Sequence, residues 1–250
     1  MILVLGGTID SRVLIDRLRE KNLDFVLSVT TAYGEKLARE RGARVRRGPM
    51  DKEAMEDFIK SQKVTMLIDA THPFAVEVKE NAMVAARDLC IPYIRYERPE
   101  YPYPSYVRKV YSPQEIADLE REEEGTIYLS TGAKSLADFV EIFGKERLVA
   151  RVLPSQEILE EAKDLGLSMG QVHAIAPPFS YDLNKALFEK VGAKVLVTKE
   201  SGSEGGLEAK LEAAHDMDMR IYLIARPQLA YPKVFNTIDD LMKSLEKEGI

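Results

Sequence analysis

Val64-Thr65-Met66-Leu67-Ile68-Asp69-Ala70-Thr71-His72-Pro73-Phe74-Ala75 decides the fold. An apolar run of strand length, Val64 to Ile68, ends in a polar cluster, after which Val78, Ala82, Ala85 and Leu89 recur at helical spacing. Strand, polar turn and helix make one unit of an open parallel sheet, whose ligand crevice lies at the carboxyl ends of its strands. Pro73 holds His72 out of the α region, so the imidazole is expected on extended backbone. Two readings stand side by side here. One is a ligand-lining turn; the other is a plain helix start, with Pro73 at the first helical position and Thr71 or His72 as its cap.

The same alternation runs outward in both directions. Apolar runs fall at Ile2–Leu5, Phe25–Val29, Ala43–Arg47, Met66–Ala70 and Pro92–Tyr96, then at Val107–Tyr111, Ile127–Ser130, Leu148–Val152, Val172–Ala176, Val195–Thr198 and Ile221–Ala225. Amphipathic segments separate them, which predicts an α/β protein of doubly wound parallel sheets. Ser112-Pro113-Gln114-Glu115 is a capping box with proline at the first helical position, and Thr237 stands three residues before Asp240 in the same way. The prolines of Glu97-Arg98-Pro99-Glu100-Tyr101-Pro102-Tyr103-Pro104-Ser105-Tyr106 forbid a helix or a central strand. We therefore expect two Rossmann-like domains, 1–98 and 107–250, joined by a Pro/Tyr-rich connection at 99–106, with the ligand cleft between them. A strand exchanged between the two sheets would blur that boundary. The tyrosines of the connection either pack on the domains or line the cleft.

Composition bounds the function. The chain has 250 residues, 45% hydrophobic and 30% charged, as in ordinary globular proteins. No apolar run approaches the roughly 18 residues that span a bilayer, and the N-terminus opens on a strand pattern instead of a signal peptide. Cys90 is the one cysteine and there are three histidines, so neither a disulfide nor a structural metal site is expected. A net charge of −6 lacks the basic field that nucleic acid requires. The expectation is a cytoplasmic protein with no metal, no nucleic-acid partner and no membrane.

Gly6-Gly7-Thr8 directly follows the first apolar run and precedes a helix, where glycine lets backbone approach a phosphate. The full G-x-G-x-x-G pattern is absent, and Asp10 either caps the helix or turns a diphosphate aside. The second strand ends at Thr30 and Thr31 with no acid to grip a ribose hydroxyl, and Lys36 and Arg39 lie near; this leans to NADPH over NADH. Ser130-Thr131-Gly132-Ala133-Lys134 and Thr198-Lys199-Glu200-Ser201-Gly202 are two further turns of this kind. Arg95, Arg98, Lys134, Arg151, Lys199 and Arg226 all fall at or past strand ends, so a parallel sheet gathers them on its ligand side. That concentration in an acidic chain suggests a polyanionic ligand, unless each cation pairs with a local acid such as Glu97 or Glu200. Nucleophile elbow, Walker loop, Cys-His arrangement and metal-spaced carboxylates are all missing, which leaves cofactor-borne chemistry such as hydride transfer.

Taken together, these residues resemble the precorrin-6A reductases of cobalamin biosynthesis, along nearly the whole chain. The likeness lies in Leu5-Gly6-Gly7-Thr8, Asp69 to Ala75, Arg95, Arg98-Pro99, Ser130-Thr131-Gly132, Ala150-Arg151-Val152 and Pro177-Pro178-Phe179-Ser180. It continues in Thr198 to Gly202, Lys210 and Arg226-Pro227. Ala133 departs from it, because the family often carries Arg or Lys directly after Thr-Gly. The resemblance implies reduction of one macrocycle double bond, giving precorrin-6B or its cobalt form, by NADPH or NADH. It implies a polyanionic tetrapyrrole substrate and hand-off to other enzymes of that pathway. Gly6, Gly7, Thr8, Thr30, Thr31, Thr131 and Gly132 would then hold the cofactor. Thr71, His72, Arg95, Arg98, Arg151, Lys199, Ser201 and Arg226 would meet the substrate, and His72 would orient the ring or relay a proton. Two rivals are a cofactor-independent tetrapyrrole enzyme, similar to uroporphyrinogen-III synthase, and a non-catalytic NAD(P)-sensing regulator.

Overall fold

Strands β1 (Ile2–Leu5), β2 (Phe25–Val29) and β3 (Val45–Arg47) open the chain, followed by β4 (Met66–Asp69) and β5 (Tyr93–Tyr96). Helices α1 (Ile9–Glu20), α2 (Ala32–Glu40), α3 (Lys52–Gln62) and α4 (Val76–Asp88) lie between them. The second series is β6 (Val107–Val110), β7 (Thr126–Ser130), β8 (Leu148–Val152), β9 (Val172–Ala174), β10 (Ala193–Lys199) and β11 (Arg220–Ile224). Its helices are α5 (Pro113–Leu119), α6 (Leu136–Phe143), α7 (Gln156–Asp164), α8 (Tyr181–Lys190) and α9 (Leu207–His215). A two-residue strand, β12 (Val234–Phe235), and α10 (Ile238–Lys247) close the chain. The computed structural model describes residues 1–99, 102–121, 124–200 and 206–247.

The strands form two six-stranded sheets, ordered β12-β5-β4-β1-β2-β3 and β6-β11-β10-β7-β8-β9, and every pairing is parallel. β1, β4 and β8 are buried at every position, as strands covered by helices on both faces must be. Both sheets follow the order 3-2-1-4-5-6 of the doubly wound fold. The order reverses between β1 and β4 in the first sheet and between β7 and β10 in the second. Those two points are where the fold places ligands.

The sixth strand of each sheet is exchanged in chain order. β6 follows β5 in sequence yet pairs with β11, while β12 follows β11 and pairs with β5. The strand exchange anticipated from the sequence is therefore present. The compact units are Met1–Pro99 with Pro227–Ile250, and Glu100–Arg226. This corrects the expected 107–250 domain, whose last residues belong to the first unit. The physical reason is burial: Leu241, Met242 and Leu245 of α10 pack with Leu14, Leu18, Leu27 and Ile94 in one core. Past Pro99 the connection belongs to the second unit, where Tyr103 packs on the core that contains Tyr128, Phe188 and Leu211, and Tyr106 stacks on His215 at 3.9 Å. Tyr101 lies outside the described residues.

Among the described residues, no helix is long and apolar enough to cross a membrane, and no group of three His, Cys, Asp or Glu side chains could hold a metal ion.

Candidate functional site

At the β1–β4 switch point, the Gly6-Gly7-Thr8 turn closes on itself. A Cβ on Gly6 would fall 2.6 Å from Leu27 Cδ1 and 2.8 Å from Ser11 Oγ, so only glycine lets the turn reach α1. Gly7 has φ +117° with open space where a Cβ would stand. The Gly7 and Thr8 amides both donate to Ser11 Oγ at 3.1 Å, and Ser11 N donates back to Thr8 Oγ1 at 3.1 Å. Thr8 is thus the cap of α1, while Asp10 pairs with Arg98. Thr31 caps α2 through Gly34 N at 3.0 Å, and Thr30 is exposed beside it.

Across that switch point, Thr8 Oγ1 donates to the Ala70 carbonyl at 3.0 Å, tying the turn to the loop after β4. Asp69 is fully buried and organises this loop. Its Oδ1 accepts from Thr71 N at 2.8 Å, Thr71 Oγ1 at 2.6 Å and Arg95 Nη1 at 2.9 Å; its Oδ2 accepts from Tyr93 OH at 2.7 Å. Arg95 Nε reaches Glu97 Oε2 at 2.8 Å, and the guanidinium lies 5.7 Å from the Tyr231 ring. Burial, then the Asp69 charge, raises the Tyr93 phenol well above its ordinary range. Burial alone would lower Arg95, but Asp69 and Glu97 outweigh it and hold the guanidinium charged. The buried Lys79 amine donates to the Pro73 carbonyl, and Ala75 N to the His72 carbonyl at 2.9 Å. From this braced loop His72 stands exposed, its Nδ1 accepting from Phe74 N at 3.3 Å.

The second unit repeats the plan with different chemistry. Thr131 is buried and accepts from Ser135 Oγ at 3.0 Å, and Lys199 Nζ donates to Ser135 Oγ at 3.3 Å. Gly132 has φ +78° and open space around its Cα, and no side chain caps the start of α6. Burial lowers the Lys199 ammonium. Arg151 lies over the Phe179 ring at 3.9 Å and donates to Asn184 Oδ1 at 2.7 Å. Glu200, fully buried, pairs with Arg226 at 2.8 Å and accepts from Arg226 N at 3.2 Å.

Comparison with known proteins fits these motifs into one family. The family described as precorrin-6x reductase CbiJ/CobK matches residues 1–246. The chain belongs to this family. It is 36% identical to the cobalt-precorrin-6A reductase of Priestia megaterium, over 98% of each chain. It is 35% identical to that of Methanocaldococcus jannaschii, over 97% of this chain and 96% of the relative. A solved structure titled CobK precorrin-6A reductase shares the fold, with a TM-score of 0.80 at 23% identity, covering 99% of this chain and 96% of that one.

Within this CbiJ/CobK chain the expected site residues part company. Thr71 and His72 sit together on the β4 loop, but neither caps α4: that helix starts at Val76 after Ala75, because Thr71 is held by Asp69 and His72 by the Phe74 amide. Arg95, expected on the ligand rim, is 1% exposed and paired with Asp69 and Glu97, so it braces the loop instead. Arg226 pairs with Glu200, one of the acids the alternative reading of the cations named, whereas Arg98 pairs with Asp10 from the turn after β1. Ser201 lies outside the described residues. Sequence reasoning gave no role to Ser11, Lys79 or Asn184, and counted Lys210 in the family likeness without assigning it one. The two lysines had a signal: Lys79 shares a helical face with Ala82 and Ala86, and Lys210 with Leu207 and Leu211, so each is a cation on an apolar stripe.

Proposed function

We propose that this chain reduces one carbon–carbon double bond of the precorrin-6A macrocycle in its cobalt form, with NADPH as reductant. The observation that carries this reading is the 36% identity to a cobalt-precorrin-6A reductase over 98% of both chains. Both curated relatives described above are named for the cobalt form.

The residues present fit a nicotinamide cofactor best at the β7 turn. Gly132 leaves open space on a positive-φ backbone, α6 starts without a side-chain cap, and Lys199 stands beside it. Thr131, Gly132 and Lys199 would hold a cofactor phosphate there, where amide groups and a cation both favour negative charge. At the β1 turn the Gly7 and Thr8 amides already have Ser11 as acceptor, which makes Gly6, Gly7 and Thr8 builders of the loop. Neither β2 nor β8 ends in an acid that would select a free ribose hydroxyl, which favours NADPH; β8 carries Arg151 there.

A reduced nicotinamide supplies a hydride when bound. The protein's part is to place the ring and to deliver a proton to the neighbouring position. His72 suits the second duty. Its Nδ1 accepts a backbone N–H, so the neutral imidazole carries its proton on Nε2 and is a proton donor through that atom. The test is anaerobic reduction of cobalt and metal-free precorrin-6A with NADPH and with NADH, followed by absorbance. We expect NADPH oxidation that depends on the cobalt macrocycle. Absence of tetrapyrrole-dependent oxidation of either cofactor would end the reductase reading; a preference for the metal-free ring or for NADH would correct its finer part.

A further inference from the structure

One row of side chains at the carboxyl edge of the second sheet carries positive charge and no acid. Thr198 pairs in register with Ser130, and Arg151 with His173, on the adjacent strands β10, β7, β8 and β9. In-register neighbours share one face of a sheet. Helices α8 and α9 meet that face, where Asn184 accepts from Arg151 and Lys210 Nζ donates to Thr198 Oγ1 at 2.8 Å. Arg151 is 7% exposed and Lys210 is 3% exposed. A guanidinium has five N–H donors and an ammonium three. Among the described residues, their bonded acceptors here are one amide oxygen and one hydroxyl.

Among the described residues, charged groups on the surrounding elements do not supply the missing negative charge. On β10, Glu200 is paired with Arg226 and Lys199 is bonded to Ser135. On β7, Tyr128 OH meets His173 Nδ1 at 3.0 Å. Glu208 and Glu212, on the same helix as Lys210, face outward and are exposed. Two buried cations on one face, with no carboxylate between them among the described residues, are unfavourable, so one gives up its proton unless a ligand brings the counter-charge.

We infer that Arg151 and Lys210 form a receptor for one oxyanion, a phosphate or carboxylate group, in the second unit. The protonation of these groups agrees. Burial, then the Arg151 charge, lowers the Lys210 ammonium to about 7. Burial also lowers Arg151, and burial, Lys190 and Arg151 together lower His173. An arriving anion reverses the sign of the local potential, so Lys210 takes up the fraction of a proton it lacks, which grows as the pH rises above about 7. The receptor adds to the reductase reading without resting on it, because its test involves no turnover.

The full chain is titrated with sodium sulfate by calorimetry, since sulfate keeps its charge across the range used. Affinity is expected to fall about tenfold or more between roughly pH 6.5 and 8.5, with proton uptake seen as a heat that varies with buffer. Lys210→Met should bind weakly with no such pH dependence. Lys210→Arg should bind with the charge retained and the pH dependence lost, which separates charge from packing if the Met variant does not fold. No sulfate binding by the wild type at tens of millimolar, or an unchanged pH profile in Lys210→Arg, overturns the inference. Competition then identifies the source. Displacement by adenosine 2′,5′-bisphosphate marks a cofactor phosphate, and displacement by propane-1,2,3-tricarboxylate marks the carboxylates of a polyacid substrate. Displacement by neither also overturns it.

Discussion

Asp69 and His72 lie three residues apart and carry opposite duties. Asp69 is an interior hub: replacing it by Asn leaves the Arg95 charge buried with Glu97 alone, and removing one partner of a buried pair costs about 3 kcal/mol or more. Urea unfolding of Asp69→Asn should show that loss directly. His72 is exposed and the Asp69 hydrogen bonds that brace its loop do not run through it, so His72→Ala should leave stability within about 0.5 kcal/mol of wild type. Its kcat should fall on the order of 100-fold if it supplies the proton. Wild-type turnover with unchanged pH dependence in that variant would remove the relay. Lys210 makes a third prediction, with a definite sign. Its folded pKa of about 7 lies below the ordinary 10.5, so between those values the unfolded chain binds the extra proton and wild-type stability rises with pH. Lys210→Met lacks that slope; the gap between the two proteins, measured by denaturant at pH values from about 7 to 10, should shift in favour of the wild type. Chemistry of this kind was only half legible in the sequence. The string Asp69 to Ala75 announced a polar turn, but whether Arg95 faces ligand or interior depends on Asp69 of the neighbouring strand β4 and on Glu97 closing on it, which no local pattern encodes.

At the scale of elements, local rules carried most of the reading. β1, β2 and β8 coincide with the apolar runs because strands buried on both faces are mostly apolar, with Ser28 and Arg151 the polar exceptions. Ser112 caps α5 through Glu115 N, with Pro113 at the first turn, as the capping pattern requires. β12 escaped notice for a physical reason: it has two residues, and Val234 is 43% exposed, so it offers neither length nor an apolar run. Of the two readings of the Asp69–Ala75 turn, the helix start at Pro73 does not form, because Asp69 takes the groups that a cap would use and α4 begins at Val76. The turn between β1 and α1 gives a prediction at this scale. Gly6→Ala drives a methyl group against Leu27 and Ser11 and should cost about 1–3 kcal/mol, read as a lowered thermal midpoint. An unchanged midpoint would mean that the turn relaxes and that Gly6 is not required for packing.

For the whole molecule the exchange of sixth strands governs what can be removed. Ending the chain after Arg226 takes away β12 and the apolar face of α10, baring the edge of β5 and a side of the first core. Such a truncation should bind a hydrophobic dye and elute as aggregate on size exclusion, since an unpaired strand edge recruits other chains. A monomeric product with native far-UV and near-UV spectra would show the exchange to be dispensable. Two doubly wound sheets were legible from alternating strands and helices, and the option of exchange from the proline-rich break. Which sheet each sixth strand joins is set by long-range burial, which no local pattern encodes.

That exchange also sets a timetable on the ribosome. The first sheet has five strands once Tyr96 has emerged, but its sixth waits until residues 97–233 have been translated. At roughly 5–20 residues per second, that interval is on the order of ten seconds. Throughout it, the nascent amino-terminal half presents an open β5 edge, and its core lacks the helix that seals it. The protein's dependence on chaperones should therefore be greatest during synthesis and fall away once the last helix docks.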